Sequence, residues 1–240
     1  MADEQSEHIV KSYGADLRRL ADLTAEMGGL VEAQINDAVI ALVRRDTALA
    51  ARVVEGDPRV DALQREIESF AIRLLALRQP VASDLRVVVA AFKIAGGLER
   101  IGDYAANAAK RSLVLSQLPA ISSLNGFQRM ARMVLENLKG AIDALVRSDA
   151  EKAREVWRSD ASVDEVYNGI FRELLTHMME DPRNITAATH LLFIAKNLER
   201  VGDHATNIAE LVYYAVRGEE LDADRPKGDT SAFAVVRPRD

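Results

Sequence analysis

Two ten-residue stretches carry the side chains best suited to chemistry. Residues 98 to 107 read Leu-Glu-Arg-Ile-Gly-Asp-Tyr-Ala-Ala-Asn, and residues 198 to 207 read Leu-Glu-Arg-Val-Gly-Asp-His-Ala-Thr-Asn, identical at seven of ten positions. In each, a Glu and an Asp stand four residues apart, which places both carboxylates on one helix face, one turn from each other. Like charges so placed repel. A chain that builds the arrangement twice, as Glu99/Asp103 and Glu199/Asp203, is expected to offer those oxygens a cation.

Two further acidic pairs share the spacing, Asp57/Asp61 and Asp160/Asp164. If the helices of each bundle run antiparallel, each copy brings four carboxylates to one patch. All-oxygen ligation suits Mg2+, Mn2+ or Ca2+, and carboxylate-rich sites also hold iron. Asp57 and Asp160 have an equal claim as helix N-caps, since Gly56-Asp57-Pro58 reads as a break and restart and Ser159-Asp160 as a cap. Asp61 and Asp164 are open to a solvated reading as well as to ligation. Glu99, Asp103, Glu199 and Asp203 lie mid-helix, where neither cap nor dipole accounts for them. Ion pairs to Arg100 and Arg200 are disfavoured there, because adjacent helical residues point about 100° apart.

The elements that position these pairs follow from helical periodicity. Leu17, Leu20, Leu23, Val31, Ile35, Ala38, Val39 and Leu42 mark a first helix to about Arg45, with Gly28-Gly29 as a kink point and residues 1 to 7 frayed. Val60, Leu63, Ile67, Phe70, Leu74 and Leu77 mark a second, and the third runs from about Ser83 to Gln117. On that third helix Leu85, Val88, Phe92 and Ala95 fall within about 40° of Glu99, so the carboxylates continue an apolar stripe. Ala41-Leu42-Val43-Arg44-Arg45-Asp46 returns as Ala144-Leu145-Val146-Arg147-Ser148-Asp149, and the whole plan repeats at an offset of 103, falling to 100 by Glu99. The expectation is an all-α protein of six main antiparallel helices. It divides into two tandem three-helix bundles, residues 8–118 and 122–218, and a flexible tail at 219–240 whose Phe233–Val236 alternation is the sole hint of a strand.

Composition narrows the function classes. Net charge is −6, without the basic excess of a nucleic-acid binder, and cysteine is absent, which excludes disulfides and thiolate metal sites and fits a reducing compartment. No apolar run approaches the roughly 20 residues of a membrane span, so a cytoplasmic location is expected. His8, His177, His190 and His204 form no His-x-x-x-His or Glu-x-x-His pair, which argues against a ferritin-like di-iron enzyme. No nucleophile elbow, P-loop or dinucleotide fingerprint occurs, so no catalytic role is expected.

Arg78-Gln79-Pro80-Val81-Ala82-Ser83-Asp84-Leu85-Arg86 followed by Leu98-Glu99-Arg100-Ile101-Gly102-Asp103 resembles the PhoU family of phosphate-transport regulators. Glu180-Asp181-Pro182-Arg183 followed by Leu198-Glu199-Arg200-Val201-Gly202-Asp203 does so again, and the likeness runs from about residue 10 to 218. The resemblance implies two three-helix bundles and metal clusters on the acidic motifs. Glu99/Asp103 and Glu199/Asp203 correspond directly, and Asp57/Asp61 and Asp160/Asp164 less closely; iron, zinc, manganese or magnesium are the candidate ions. It also implies a negative regulator of phosphate uptake and the phosphate-starvation response. Such a regulator stands between the ATPase subunit of the phosphate ABC transporter and a sensor histidine kinase, as a homodimer that meets the membrane only through its partners. A metal-storage protein or metal-dependent enzyme is the alternative that the carboxylates alone would support.

Overall fold

The structure, a computed structural model, describes residues 2–121 and 124–221, the side chains of 2–12, 160 and 161 excepted. The expected Phe233–Val236 alternation and all but the first residues of the tail lie outside the described residues. Among the described residues seven α-helices follow one another: α1 (Ala2–Arg44), α2 (Thr47–Arg78), α3 (Ala82–Leu115), α4 (Asn125–Arg147), α5 (Ala150–Arg158), α6 (Asp160–Glu180) and α7 (Ile185–Arg217). A 3-10 turn at Pro182–Asn184 leads into α7, and no strand occurs among the described residues.

The repeated hexapeptide is a turn with a cap. Arg45 and Ser148 take left-handed backbone conformations (φ 55° and 52°). One residue later the Asp46 carboxylate accepts the Leu49 N–H at 2.9 Å, and Asp149 accepts that of Lys152 at 3.0 Å. Each such cap is worth about 1 kcal/mol and fixes where the next helix begins, α2 in the first copy and α5 in the second.

From Asp46 onward α2 runs without interruption through Gly56-Asp57-Pro58, contrary to the expected break. Pro58 forgoes one backbone hydrogen bond, a cost of about 3 kcal/mol in a helix interior. The fully buried Val60 and the nearly buried Val53 on either side anchor the segment in the core. Asp57 is therefore mid-helix and has no capping role. In the second copy the same point is a real junction, with Ser159 between α5 and α6. Gly28-Gly29 does not end α1; a Cβ on Gly28 would lie 2.8 Å from Ile142 Cγ1, so this glycine admits α4. The N-terminus, expected to fray, is helical from Ala2.

Within the first copy α1, α2 and α3 pack on one another, and in the second α4, α5 and α6 pack on α7. Between the copies α3 meets α7 and α1 meets α4. Both contacts join an element to its own repeat, which is pseudo-two-fold geometry. The α3–α7 pair is antiparallel: Gly97 faces Ile208, Tyr104 stacks 5.7 Å from His204, and Arg111 lies 4.1 Å over the Phe193 ring. The buried faces of these two helices are rich in alanine, from Ala90 to Ala109 and from Ala187 to Ala215.

Three expected core residues are exposed: Leu77 at 75%, Leu85 at 40% and Phe92 at 37%. The buried face of α3 is centred on Val88, Ala91, Ala95, Leu98, Gly102 and Ala105. Leu85, Phe92 and Glu99, seven residues apart, form the row along its margin, so Glu99 borders the core instead of continuing it. Leu77 stands in the last turn of α2, two residues before the left-handed Gln79 ends the helix.

Gly102 and Gly202, costly in mid-helix, mark close approaches. A Cβ on Gly102 would lie 3.2 Å from Val60 Cγ1, and one on Gly202 would lie 3.3 Å from Val163 Cγ1 and 3.5 Å from Val134 Cγ1. Valine is stiff about χ1 and yields little. Gly202→Leu should cost about 1–3 kcal/mol in urea denaturation through overpacking. Gly96→Ala, with nothing within 4 Å of the added Cβ, should gain about 0.5–1 kcal/mol. Equal midpoints for these two variants would show that Gly202 is not in a tight crossing.

Candidate metal centre

In the first copy α2 supplies Asp57 and Asp61, and α3 supplies Glu99 and Asp103. The Gly102–Val60 contact joins the two helices between these pairs. Burial raises the Glu99 carboxyl above its ordinary 4.5, with Asp103, Asp61 and Asp57 pushing the same way and Arg100 opposing them. Burial likewise raises Asp57, followed by Asp103 and then Asp61, against Lys110. Asp57 thus feels a carboxylate on the neighbouring helix more strongly than the one a turn away on its own. All four carboxylates share one electrostatic patch.

Arg100 does reach this patch, contrary to the expectation from helix geometry. Its guanidinium lies 3.6 Å from Glu99 Oε2 and 3.6 Å from Asp103 Oδ2. An arginine is long enough to curl back over the 100° that separates adjacent side chains. The side chain stays 61% exposed, and exposed pairs at such distances contribute about 0–1 kcal/mol. Arg200, its repeat, lies instead 5.8 Å over the Tyr104 ring of the other copy.

The second copy is more deeply set. Glu199 and Asp164 are buried and Asp203 half-buried, while the side chain of Asp160 lies outside the described residues. Burial raises the Glu199 carboxyl, Asp203 and Asp164 add to the shift, and Lys196 pulls against it. Lys196 Nζ stands 2.9 Å from Glu199 Oε1. Glu199 Oε2 is buried without a hydrogen-bond partner. Among the described residues no three carboxylate or imidazole groups form a closed metal cage as their side chains stand. The donor set nonetheless fits a hard cation: oxygen ligands only, an excess of negative charge, and one orphaned buried oxygen.

A PhoU domain model matches residues 24–112 and again residues 127–212. The chain is 54% identical over 225 residues to the phosphate-specific transport system accessory protein PhoU homolog of Caulobacter vibrioides, covering 93% of this chain and 98% of that one. It is 45% identical to the homolog of Rhizobium meliloti, over 95% and 98% of the two chains. The chain belongs to the PhoU family. The crystal structure of PhoU from Pseudomonas aeruginosa superposes with a TM-score of 0.81 at 42% identity, covering 86% of this chain and 100% of that one. PhoU from Streptococcus pneumoniae gives 0.81 at 30% identity, covering 88% and 100%.

Several residues beside the PhoU acidic motifs escape a reading of the motifs alone. Gln34 on α1 is buried next to Gly56 and Gly102, and both of its amide atoms lack partners. Its repeat Asn137 on α4 is buried likewise, accepting from Ser159 Oγ at 2.7 Å through Oδ1 while Nδ2 has no partner. An amide within an apolar row, returning at the offset of 103, is the signal that could have found them. Lys196 was signalled by its i, i+3 spacing to Glu199. His204 and Tyr104 belong to the contact between copies.

The raised Glu99 carboxyl has a definite sign in a pH titration. Its charged form is disfavoured in the folded state, so its contribution to stability is complete below 4.5 and is lost as pH rises through the raised value. With chelator present and near neutral pH, Glu99→Gln should therefore melt above the wild type. The difference should close as pH falls below 4.5. A gap of the opposite sign, or one that is independent of pH, would mean that the carboxylate is well solvated.

Proposed function

We propose that the chain is an accessory regulator of phosphate transport, a negative regulator of phosphate uptake and of the phosphate-starvation response, and not an enzyme. The observation that carries this is the match over nearly its whole length to relatives named as phosphate-specific transport system accessory proteins. No helix among the described residues is long and apolar enough to cross a membrane. An adaptor between a membrane transporter and a membrane sensor would work from a surface without such a span. Its partners in this proposal are the ATPase subunit of the phosphate ABC transporter and the sensor histidine kinase of the phosphate two-component system, met by a homodimer in the cytoplasm.

Deleting the chain should switch on phosphate-uptake genes in phosphate-rich medium, read by transcript level. Unchanged transcripts would remove the regulatory proposal, and turnover of a substrate that requires Glu99 would favour an enzyme.

The acidic clusters are proposed as metal sites within that role. Glu99 and Asp103, with Asp57 and Asp61, would hold one group of ions. Glu199, Asp203 and Asp164, with Asp160, would hold the other. A bound dication would neutralise carboxylates that the fold leaves partly desolvated, and would stabilise the bundle by about 2.7 kcal/mol at a hundredfold excess over Kd. Chelation should lower the melting temperature of the wild type. The quadruple variant Glu99→Ala, Asp103→Ala, Glu199→Ala, Asp203→Ala should bind less metal by mass spectrometry and lose that response. Equal metal content and equal melts would make these carboxylates ordinary surface charges.

A further inference from the structure

The two clusters are sequence repeats, but they are not chemically equal. In the second, the Lys196 ammonium lies inside the patch, 2.9 Å from Glu199 Oε1 and 4.9 Å from the centre of the Tyr167 ring. The lysine side chain is 33% exposed and that of Glu199 only 7%. The positions that repeat Lys196 and Tyr167 in the first copy are Gly96 and Gln64. That cluster therefore has neither the ammonium nor the aromatic face beneath it. The cation beside it is Arg100, 61% exposed and 3.6 Å from the Glu99 and Asp103 carboxylates.

We infer that Lys196 is the second cluster's own tethered cation, and that it sets the affinity of that cluster for a divalent ion below that of the first. This rests on the metal reading given above. A dication entering the first cluster displaces an exposed arginine 3.6 Å away and meets Lys110 only as a charge acting on Asp57. At the second it must break a short ion pair in a water-poor setting and lift the ammonium off the Tyr167 ring. Lys196 does not complete the site, however. Asp203 and Asp164 still act on the Glu199 carboxyl against the ammonium, and Glu199 Oε2 is left buried without a partner. The remaining negative charge and the orphaned oxygen keep the cluster receptive to a dication, at higher concentration. The duplicated protein would then load its two halves in order, the first before the second.

The experiment is Mn2+ binding to the full chain, with free ion counted by electron paramagnetic resonance. Wild type should show two classes of site at least tenfold apart in Kd. Glu99→Ala with Asp103→Ala should remove the tight class, and Glu199→Ala with Asp203→Ala the weak one. Lys196→Met keeps the aliphatic stem over Tyr167 and removes the charge, and should tighten the weak class at least tenfold. Gly96→Lys, introduced where nothing lies within 4 Å of the new Cβ, should weaken the tight class by a similar factor. In chelator, Lys196→Met should melt below wild type and regain the loss on addition of Mn2+, whereas a lysine with only a packing role would leave a deficit that Mn2+ does not repair. Two classes of equal affinity, or a Lys196→Met variant with unchanged affinity, overturn the inference and leave the metal reading intact. No Mn2+ bound to wild type at either cluster overturns both. If Lys196→Met fails to fold, Gly96→Lys decides alone: an unshifted tight class overturns the inference.

Discussion

The close packing of α3 and α7 is the constraint on which the rest depends. α3 is held by α1 and α2 and α7 by α4, α5 and α6, and the two also hold each other. Only a helix with a small-residue surface can be so surrounded, because neighbouring axes must approach closely on several sides at once. The runs of buried alanine and the glycines at 102 and 202 meet that demand. The demand also has an electrostatic side. Acidic residues on a helix sheathed this way lose water, and that loss is the largest cause of the raised carboxyls of Glu99 and Glu199. Packing and charge at the motif are thus one problem.

The two copies solve that problem differently. The first leaves its carboxylates at the margin of the core, in the same row as the exposed Leu85 and Phe92, with an arginine lying over them from solvent. The second sinks Glu199 and Asp164 to near-complete burial and brings a lysine in beside them. A carboxylate can be kept at low cost by staying partly wet, or buried with a counter-charge that itself must be held in place. Tyr167 supplies the hold for Lys196.

Much of this was legible in the sequence, because repetition and helical period are local signals. The two-copy plan and the helical class could be read from spacing. Pro58 was misleading: as punctuation it signals a break, but Val53 and Val60 bury themselves on either side and tertiary packing keeps the helix whole. Leu77, Leu85 and Phe92 misled because a stripe shows which residues share a face, but not how far a neighbouring helix covers it. Arg100 escaped a rule that fixes where Cβ points and says little about the end of a long side chain. Gln34 and Asn137 left only a faint signal, their return at the offset of 103, and burial is what gives such an amide its meaning.

The contacts α3 to α7 and α1 to α4 have the form of a dimer interface between two identical subunits, yet they are made within one polypeptide. In a true symmetric dimer every substitution is printed on both sides of the axis, so a tyrosine beside the axis meets its own copy. Covalent linkage lifts that rule. Tyr104 can face His204, and a lysine can enter one cluster while the other keeps glycine at the same place. A single chain that carries both halves can therefore make them unequal without giving up the shape they share.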